Sequence, residues 1–254
     1  MLTLVTIPCL SDNYAFLLHD DDSGDTALVD APEAAPILTE LDARGWSLSD
    51  IWLTHHHWDH VDGVAEVVAK TGAQVIGARA DAHRLPDLAG AYEDGDSFMF
   101  AGHTVDVMDV SGHTVGHIAF HVPDAGAAFT GDSLMAMGCG RLFEGSPAQM
   151  WESLSKLALL PPETLICSGH EYTASNAAFA RTIEPDNTAL ASRAAEIDRL
   201  RAKGQATVPS RLSEELNTNP FLRAHLSDLK TALHMKAASD AEVFAEIRHR
   251  KDSF

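Results

Sequence analysis

The run from Thr54 to His60, Thr-His-His-His-Trp-Asp-His, places four residues that commonly bind metals within six positions. In an extended segment the side chains alternate between two sides, so His55, His57 and Asp59 would face the same way. His60 joins them only if the backbone turns there. So many coordinating groups in so short a segment favour a metal site over a histidine-rich surface loop.

The flanking residues predict that this run connects a strand to a helix. Residues 50–54 are apolar and β-branched enough to form a strand, whereas residues 61–70 carry apolar side chains at helical spacing. Such junctions are common places for functional sites in layered α/β folds. Imidazole and carboxylate groups suit zinc, iron or manganese, and the absence of nearby thiolates argues against a structural zinc site or an iron–sulfur cluster.

Three later segments share one pattern, in which an apolar strand is followed by a residue that can bind a metal. The residues are His113, Asp132 and His170. Taken singly, a histidine or aspartate after a strand is more often a loop residue or a turn cap. Their repetition after the first run favours a site with two metals.

Together these motifs resemble those of the metallo-β-lactamase superfamily and, within it, of the hydroxyacylglutathione hydrolases, also called glyoxalase II. Thr-His-x-His-x-Asp-His indicates the superfamily. Three segments look specifically like glyoxalase II: Gly138–Gly145, Gly169–Thr173 with Asn176, and Arg248–Asp252. The resemblance covers nearly the whole chain.

The resemblance implies an α/β fold, a four-layer αββα sandwich followed by a C-terminal α-helical domain. We expect a catalytic domain over residues 1–172 and a helical substrate-binding domain over residues 173–254. Helices are expected between Pro32 and Gly45 and over residues 147–157, and the tail should break near Pro185, Gly204, Pro209 and Pro220. The predicted strands are residues 2–7, 14–19, 26–29, 51–54, 74–76, 104–110, 118–122, 127–130 and 164–167.

The resemblance also implies two divalent metal ions, with zinc first and iron or manganese as alternatives. The implied ligands are His55, His57 and His113 on one metal, Asp59, His60 and His170 on the other, and Asp132 between them. A hydroxide bridging the metals would hydrolyse S-D-lactoylglutathione to D-lactate and glutathione, as in methylglyoxal detoxification, with Asp59 and Asp132 as the catalytic carboxylates. His56 and His117 would lie outside this ligand set.

Substrate binding is the role that the resemblance implies for a second group of residues. These are Arg141, Phe143, Tyr172, Asn176, Arg248 and Lys251. Arg248 and Lys251 are three positions apart and share one helix face. A glutathione thioester carries two carboxylates, so an acidic protein needs a local positive patch to hold it. Some relatives have tyrosine in place of Phe143, so one phenol that could contact the substrate is missing.

Three alternatives stay open from the sequence. A glutathione persulfide dioxygenase of the same superfamily also has a histidine-rich site and a Gly-Cys-Gly-Arg segment, but it uses a single iron and lacks so long a helical tail. A lactonase or β-lactamase would not need the basic C-terminal pair. A non-catalytic metal-binding module would be stabilised by metal without turning over a substrate.

Composition limits the remaining classes of function. The 37 acidic and 18 basic residues give a formal net charge of −19, which disfavours binding to nucleic acid or to an anionic membrane. Three cysteines without Cys-x-x-Cys spacing suit a reducing compartment, and a structural role is expected for Cys139. The first residues read as a strand and not as a signal peptide. We therefore expect a cytoplasmic location. We also expect a monomer, although composition does not bear on the oligomeric state.

Overall fold

The computed structural model describes all 254 residues. The strands are β1 (Leu2–Cys9), β2 (Asn13–Asp20), β3 (Asp25–Val29), β4 (Ser47–Trp52), β5 (Gln74–Ala78), β6 (Gly90–Tyr92), β7 (Ser97–Phe100), β8 (His103–Asp109), β9 (Ile118–Val122), β10 (Ala127–Gly131), β11 (Leu134–Met135), β12 (Gly138–Cys139), β13 (Leu165–Ser168) and β14 (Ser210–Arg211). The helices are α1 (Ala34–Arg44), α2 (Trp58–Val61), α3 (Val64–Thr71), α4 (Pro147–Leu157), α5 (Thr173–Ile183), α6 (Thr188–Arg201), α7 (Leu212–Thr218), α8 (Ser227–Ala232) and α9 (Asp240–Asp252).

The chain forms two compact units. Unit 1 comprises residues 1–109 and 115–131, and unit 2 comprises residues 110–114 and 132–254. Strands β1 to β10 and helices α1 to α3 lie in unit 1, and the later elements lie in unit 2. No helix in the chain combines the length and the apolar character that crossing a membrane requires.

Unit 1 contains a six-stranded sheet in the order β1 to β6. Strand β2 pairs antiparallel with both β1 and β3, whereas β3 to β6 run parallel to one another. Parallel neighbours need a crossover connection, which α1 supplies between β3 and β4 and α2 with α3 supplies between β4 and β5. Because the ends of β3 and β4 therefore lie side by side, the segments that follow them meet at one edge.

Strands β7 to β10 form an antiparallel meander in the same unit. Trp52, which is fully buried in β4, lies 5.3 to 6.2 Å by ring centroids from four phenylalanines of the meander: Phe98, Phe100, Phe120 and Phe129. These rings fill the space between two packed sheets. A second apolar cluster joins Leu28 and Ile51 of the six-stranded sheet to Ile37, Leu41 and Val67 of α1 and α3.

Unit 2 is mainly helical. Helix α4 begins as the sequence predicts, with Pro147 in its first turn and the Ser146 hydroxyl accepting a hydrogen bond from the Gln149 amide. Breaks occur near Pro185, Gly204, Pro209 and Pro220, between α5 and α6, α6 and α7, and α7 and α8. A further break at residues 233–239 was not predicted, because no proline or glycine marks it.

Strands form at all nine predicted places, which confirms the α/β class. Two boundaries near the histidine-rich run were predicted wrongly. Strand β4 ends at Trp52 and not at Thr54, because the Thr54 amide donates to the Asp30 carboxylate. The predicted helix over 61–70 is interrupted at Gly63, where a side-chain Cβ would lie only 2.8 Å from the carbonyl oxygen of Ala31. The short strands β6, β7, β11, β12 and β14 were missed.

Candidate metal centre

The histidine-rich run follows β4 and enters α2, so the turn that His60 requires is the start of this helix. The Nε2 atom of His55 lies 3.1 Å from the Nδ1 atom of His57, and the rings of His55 and His60 are 4.2 Å apart by centroid. The Nε2 atom of His60 is 3.9 Å from a carboxylate oxygen of Asp59. Unit 1 therefore brings its four predicted ligands together.

Asp30, which was not predicted from the sequence, contacts both Thr54 and His60 of this run. Its buried carboxylate accepts hydrogen bonds from the Thr54 amide and hydroxyl, at 2.9 and 2.8 Å. The same carboxylate lies 2.7 Å from the Nδ1 atom of His60. Asp30, His55 and His60 have ligand atoms within 4.8 Å of one another. The available signal was the position of Asp30 directly after β3, beside the end of β4.

Asn13 is a second residue that the sequence analysis missed. Its amide nitrogen donates to the Asp59 carboxylate at 3.1 Å and to the Asp59 carbonyl oxygen at 2.9 Å. Asn13 is buried at the start of β2. Asp59 is thereby held at both its side chain and its main chain.

His56 and His117, which were predicted to lie outside the ligand set, have other partners. His56 pairs with the buried Asp81 at 2.9 Å, and Asp81 also binds Arg84 at 2.8 Å. His117 is fully buried, and its ring stacks on that of His55 at 4.6 Å. His56 therefore contacts Asp81, and His117 packs against the ring of a predicted ligand.

Unit 2 brings together the other three predicted ligands, His113, Asp132 and His170. One carboxylate oxygen of Asp132 lies 3.4 Å from the Nε2 atom of His113 and 3.3 Å from that of His170. All three side chains are buried. A carboxylate placed between two imidazole nitrogens is the arrangement expected of a ligand shared by two metals.

Gly140 makes this close arrangement possible. A Cβ at this position would overlap the carbonyl oxygen of Asp132 and would lie 2.9 Å from the Nδ1 atom of His113. That Nδ1 atom is 2.8 Å from the carbonyl oxygen of Arg141, which can only accept, so the ring donates. The position after Cys139 therefore requires glycine.

The donor set fits divalent metal ions. The Nδ1 atoms of three predicted ligands already contact a fixed oxygen: His55 with Thr54, His60 with Asp30, and His113 with Arg141. Metal-binding histidines typically use one ring nitrogen in this way and present the other to the metal. Nitrogen and carboxylate ligands without thiolates suit zinc, iron or manganese.

The predicted substrate-binding residues divide into two groups. Arg141, Phe143 and Tyr172 are exposed, and the ring of Tyr172 stacks on that of His170 at 4.6 Å while Phe143 lies 5.2 Å from His113. Asn176 and Arg248 are buried instead. They donate to the carbonyl oxygens of Ala136 and Cys139, at 3.1 and 3.0 Å.

Lys251 lies close enough to Arg248 and Arg141 for their charges to act on it. Its ammonium group lies 3.3 Å from the Ser175 hydroxyl and over the rings of Phe179 and Phe254. Burial lowers the pKa of Lys251, and the charges of Arg248 and Arg141 lower it further. Asp252 pairs with Arg248 at 2.8 Å and offsets part of this repulsion, so Arg141, Arg248 and Lys251 form a patch with a net positive charge that could attract an anionic ligand.

The three cysteines, Cys9, Cys139 and Cys167, are buried in the folded protein, and we expect them to react slowly. Burial raises the pKa of Cys139 to about 11 and that of Cys9 to about 12, and it raises the pKa of Cys167 as well. At pH 8 only about one Cys139 in a thousand would be a thiolate.

We expect iodoacetamide at pH 8 to leave both the mass and the activity of the folded protein unchanged over an hour. The urea-unfolded chain, as the control, should gain three adducts; rapid loss of activity in the folded protein would contradict the structural role of Cys139.

Two family models match the chain, one over its first two thirds and one over the remainder. Residues 11–170 match the family model described as metallo-beta-lactamase superfamily, and residues 171–254 match the one described as hydroxyacylglutathione hydrolase C-terminus. The chain is 66% identical over 253 residues to a hydroxyacylglutathione hydrolase from Ruegeria pomeroyi, with 100% of this chain and 99% of the relative covered. It is 51% identical to one from Maricaulis maris, with the same coverage.

Solved structures share the fold at much lower identity. The BLEG-1 B3 metallo-beta-lactamase has a TM-score of 0.68 at 20% identity, covering 87% of this chain and 99% of that one. ETHE1 from Myxococcus xanthus has a TM-score of 0.67 at 22% identity, covering 98% of this chain and 90% of that one. These likenesses concern the fold alone.

Proposed function

The chain belongs to the hydroxyacylglutathione hydrolase family of the metallo-β-lactamase superfamily, and from this premise we propose that it hydrolyses S-D-lactoylglutathione to D-lactate and glutathione. The observation that carries the proposal is the full-length identity of 66% to a hydroxyacylglutathione hydrolase. The fold is accordingly an αββα sandwich followed by a C-terminal helical domain. We place the boundary between a catalytic and a substrate-binding domain at residues 172 and 173.

We assign seven residues as ligands of two divalent metal ions: His55, His57 and His113 for one, Asp59, His60 and His170 for the other, and Asp132 for both. When bound, such ions lower the pKa of water towards about 7 and polarise the thioester carbonyl. The protein's own contribution is to hold the ligand atoms in place before substrate arrives. Zinc as the native metal, a monomeric state and a cytoplasmic location remain predictions from the sequence.

The contacts around the ligands support this role. Asn13 fixes the Asp59 carboxylate, Asp30 fixes the ring of His60, and the Arg141 carbonyl fixes the ring of His113. Partners of this kind set the tautomer and the direction of each ligand, which reduces the reorganisation needed during the reaction. The leaving group is a thiol with a pKa of about 8.5, so it departs as a thiolate without a strong general acid.

The positive patch of Arg141, Arg248 and Lys251 supports recognition of the glutathione carboxylates. Replacing Lys251 with alanine removes one charge that contacts substrate equally in the ground and transition states. We expect KM for S-D-lactoylglutathione to rise about tenfold, with kcat changed less than about threefold. Steady-state kinetics would measure both, and Lys203→Ala, in the exposed turn after α6, is the control. An unchanged KM for Lys251→Ala would contradict the assignment.

Two assays on metal-replete protein test the function. The first follows thiol release from S-D-lactoylglutathione, and the second follows oxygen consumption with glutathione persulfide. We expect the first to be positive and the second to be negative. The reverse result would replace the proposal with persulfide oxidation, and two negative results would favour a non-catalytic metal-binding module.

A further inference from the structure

The hairpin formed by β11 and β12 is held by side chains from much later in the chain. Each residue from Met135 to Cys139 has a main-chain group bonded to a side chain of α5, of α7, of the residue after α7, or of α9. The contacts are Asn219 to Met135 and Gly138 (3.2 and 2.9 Å), Asn176 to Ala136 (3.1 Å), Glu215 to Met137 (2.8 Å) and Arg248 to Cys139 (3.0 Å). A five-residue turn bonded at every position has little freedom to move.

Glu215 is the centre of this network. Its carboxylate has no solvent exposure, and it accepts hydrogen bonds from the Met137 amide at 2.8 Å, the Ser210 hydroxyl at 2.6 Å and Asn219 at 3.0 Å. It also pairs with the guanidinium of Arg193. A buried ion pair seldom adds net stability over apolar residues of the same shape. The presence of this pair indicates that the contacts between Glu215 and the hairpin need one fixed geometry.

The conformation of Met137 shows what the network holds. Met137 has a φ of +57°, in the left-handed region that non-glycine residues seldom adopt. Its side chain is fully buried in an apolar cluster with residues of α5 and α6, including Ala177, Leu190 and Ile197. Such a conformation persists only where surrounding contacts determine it. The Glu215 hydrogen bond and the apolar burial are those contacts.

The two ends of the hairpin lie at the proposed metal ligands of unit 2. The Gly140 amide donates to the Ser133 carbonyl at 3.1 Å, and this closes the hairpin directly after Asp132. The next residue, Arg141, provides the carbonyl that fixes the ring of His113. A change in the hairpin would therefore move both Asp132 and the partner of His113.

We infer that Glu215, together with Asn219, is a positioning residue for hydrolysis, acting through the hairpin without touching substrate. The inference rests on the proposed function. It also gives the buried side chains of Asn176 and Arg248 a second role, because both bind the same hairpin. The helical part of the chain then contributes to the chemical step as well as to substrate recognition.

Glu215→Gln tests this inference, because the amide keeps the shape of the side chain but loses one accepting oxygen and the negative charge. We expect kcat for S-D-lactoylglutathione to fall about 10- to 100-fold, since displacements of about 1 Å can cost this much. KM should change less than about threefold. Hydrogen–deuterium exchange measured by mass spectrometry should increase in the peptide that contains residues 134–141.

Glu184→Gln is the matched control. Glu184 forms a carboxylate–guanidinium pair with Arg223, at 2.8 and 2.9 Å, and neither of these bonds involves the hairpin. Its variant should keep both kcat and the exchange of the 134–141 peptide. If Glu215→Gln does not fold, Asn219→Ala replaces it. This change removes the bonds from Asn219 to Met135, Gly138 and Glu215 and the bond from the Phe221 amide, but it leaves the Glu215–Arg193 pair in place.

Several outcomes would overturn the inference. The first is a Glu215→Gln protein whose 134–141 peptide exchanges faster while kcat stays within about twofold of the wild type. The second is unchanged exchange of that peptide in Glu215→Gln. The third is a loss of kcat in Glu184→Gln as large as that in Glu215→Gln. If neither Glu215→Gln nor Asn219→Ala folds, the network is a determinant of folding and the inference fails. Absence of thioesterase activity in the wild type is a separate result: it would reject the proposed function, while exchange would still report whether the network holds the hairpin.

Discussion

Asp132→Ala is expected to lose nearly all turnover of S-D-lactoylglutathione and to bind less metal than the wild type. One oxygen of Asp132 lies 3.3 and 3.4 Å from two histidine nitrogens, and no other carboxylate is assigned as a ligand in unit 2. Alanine leaves His113 and His170 without the anion between them. We expect kcat/KM to fall at least about 1,000-fold, which corresponds to about 4 kcal/mol.

The measurement combines steady-state kinetics with metal analysis of protein purified in parallel. Asp124→Ala is the matched control, because Asp124 also pairs with a histidine, His103, at 2.7 Å, but on the exposed surface of unit 1. The control should retain wild-type metal content and rate. An Asp132→Ala protein that turned over substrate within about tenfold of the wild type would remove Asp132 from the ligand set.

Gly140→Ala is expected to have the second largest effect, although it adds only one methyl group. The new Cβ would overlap the carbonyl oxygen of Asp132 and crowd the His113 ring, and neither is the end of a flexible side chain. The backbone must therefore move at the point where both ligands are held. We expect kcat/KM to fall at least about 100-fold, as for a displacement of about 1 Å, and overpacking should cost about 1 to 3 kcal/mol of stability.

Kinetics and chemical denaturation on the same preparation separate the two effects. Gly24→Ala is the control: Gly24 lies in the turn between β2 and β3, has a φ of +84°, and a Cβ added there would meet nothing within 4 Å. It should lose some stability through backbone strain but keep its rate. A Gly140→Ala protein with wild-type kinetics would show that the close contact between Gly140 and Asp132 is not required.

The parts of the fold that depend on local sequence were predictable. The histidine-rich run, the Ser146 cap of α4 and the prolines of the helical tail each act within a few residues of their own position. Nine strands were predictable from runs of apolar residues, because such a run can be identified in the sequence without knowing which strand it pairs with. The short strands β11 and β12 have too few residues for such a pattern.

The supporting contacts were not predictable, because they join residues far apart in the chain. Asn13 reaches Asp59 across 46 positions, Asp30 reaches His60 across 30, and Asn219 reaches Met135 across 84. Nothing in the neighbourhood of these polar residues distinguishes them from turn or cap residues. For the same reason the sequence assigned Asn176 and Arg248 to substrate alone, whereas the structure also bonds them to the hairpin.

The most direct test of the central claim compares two thioesters with the same metal-replete protein. One is S-D-lactoylglutathione, and the other is the D-lactoyl thioester of N-acetylcysteamine, which lacks both glutathione carboxylates. We expect the glutathione ester to be cleaved with a kcat/KM at least about 100-fold higher, because only it can use the positive patch of Arg141, Arg248 and Lys251. Equal rates would contradict glutathione recognition, and no cleavage of either ester would contradict the thioesterase itself.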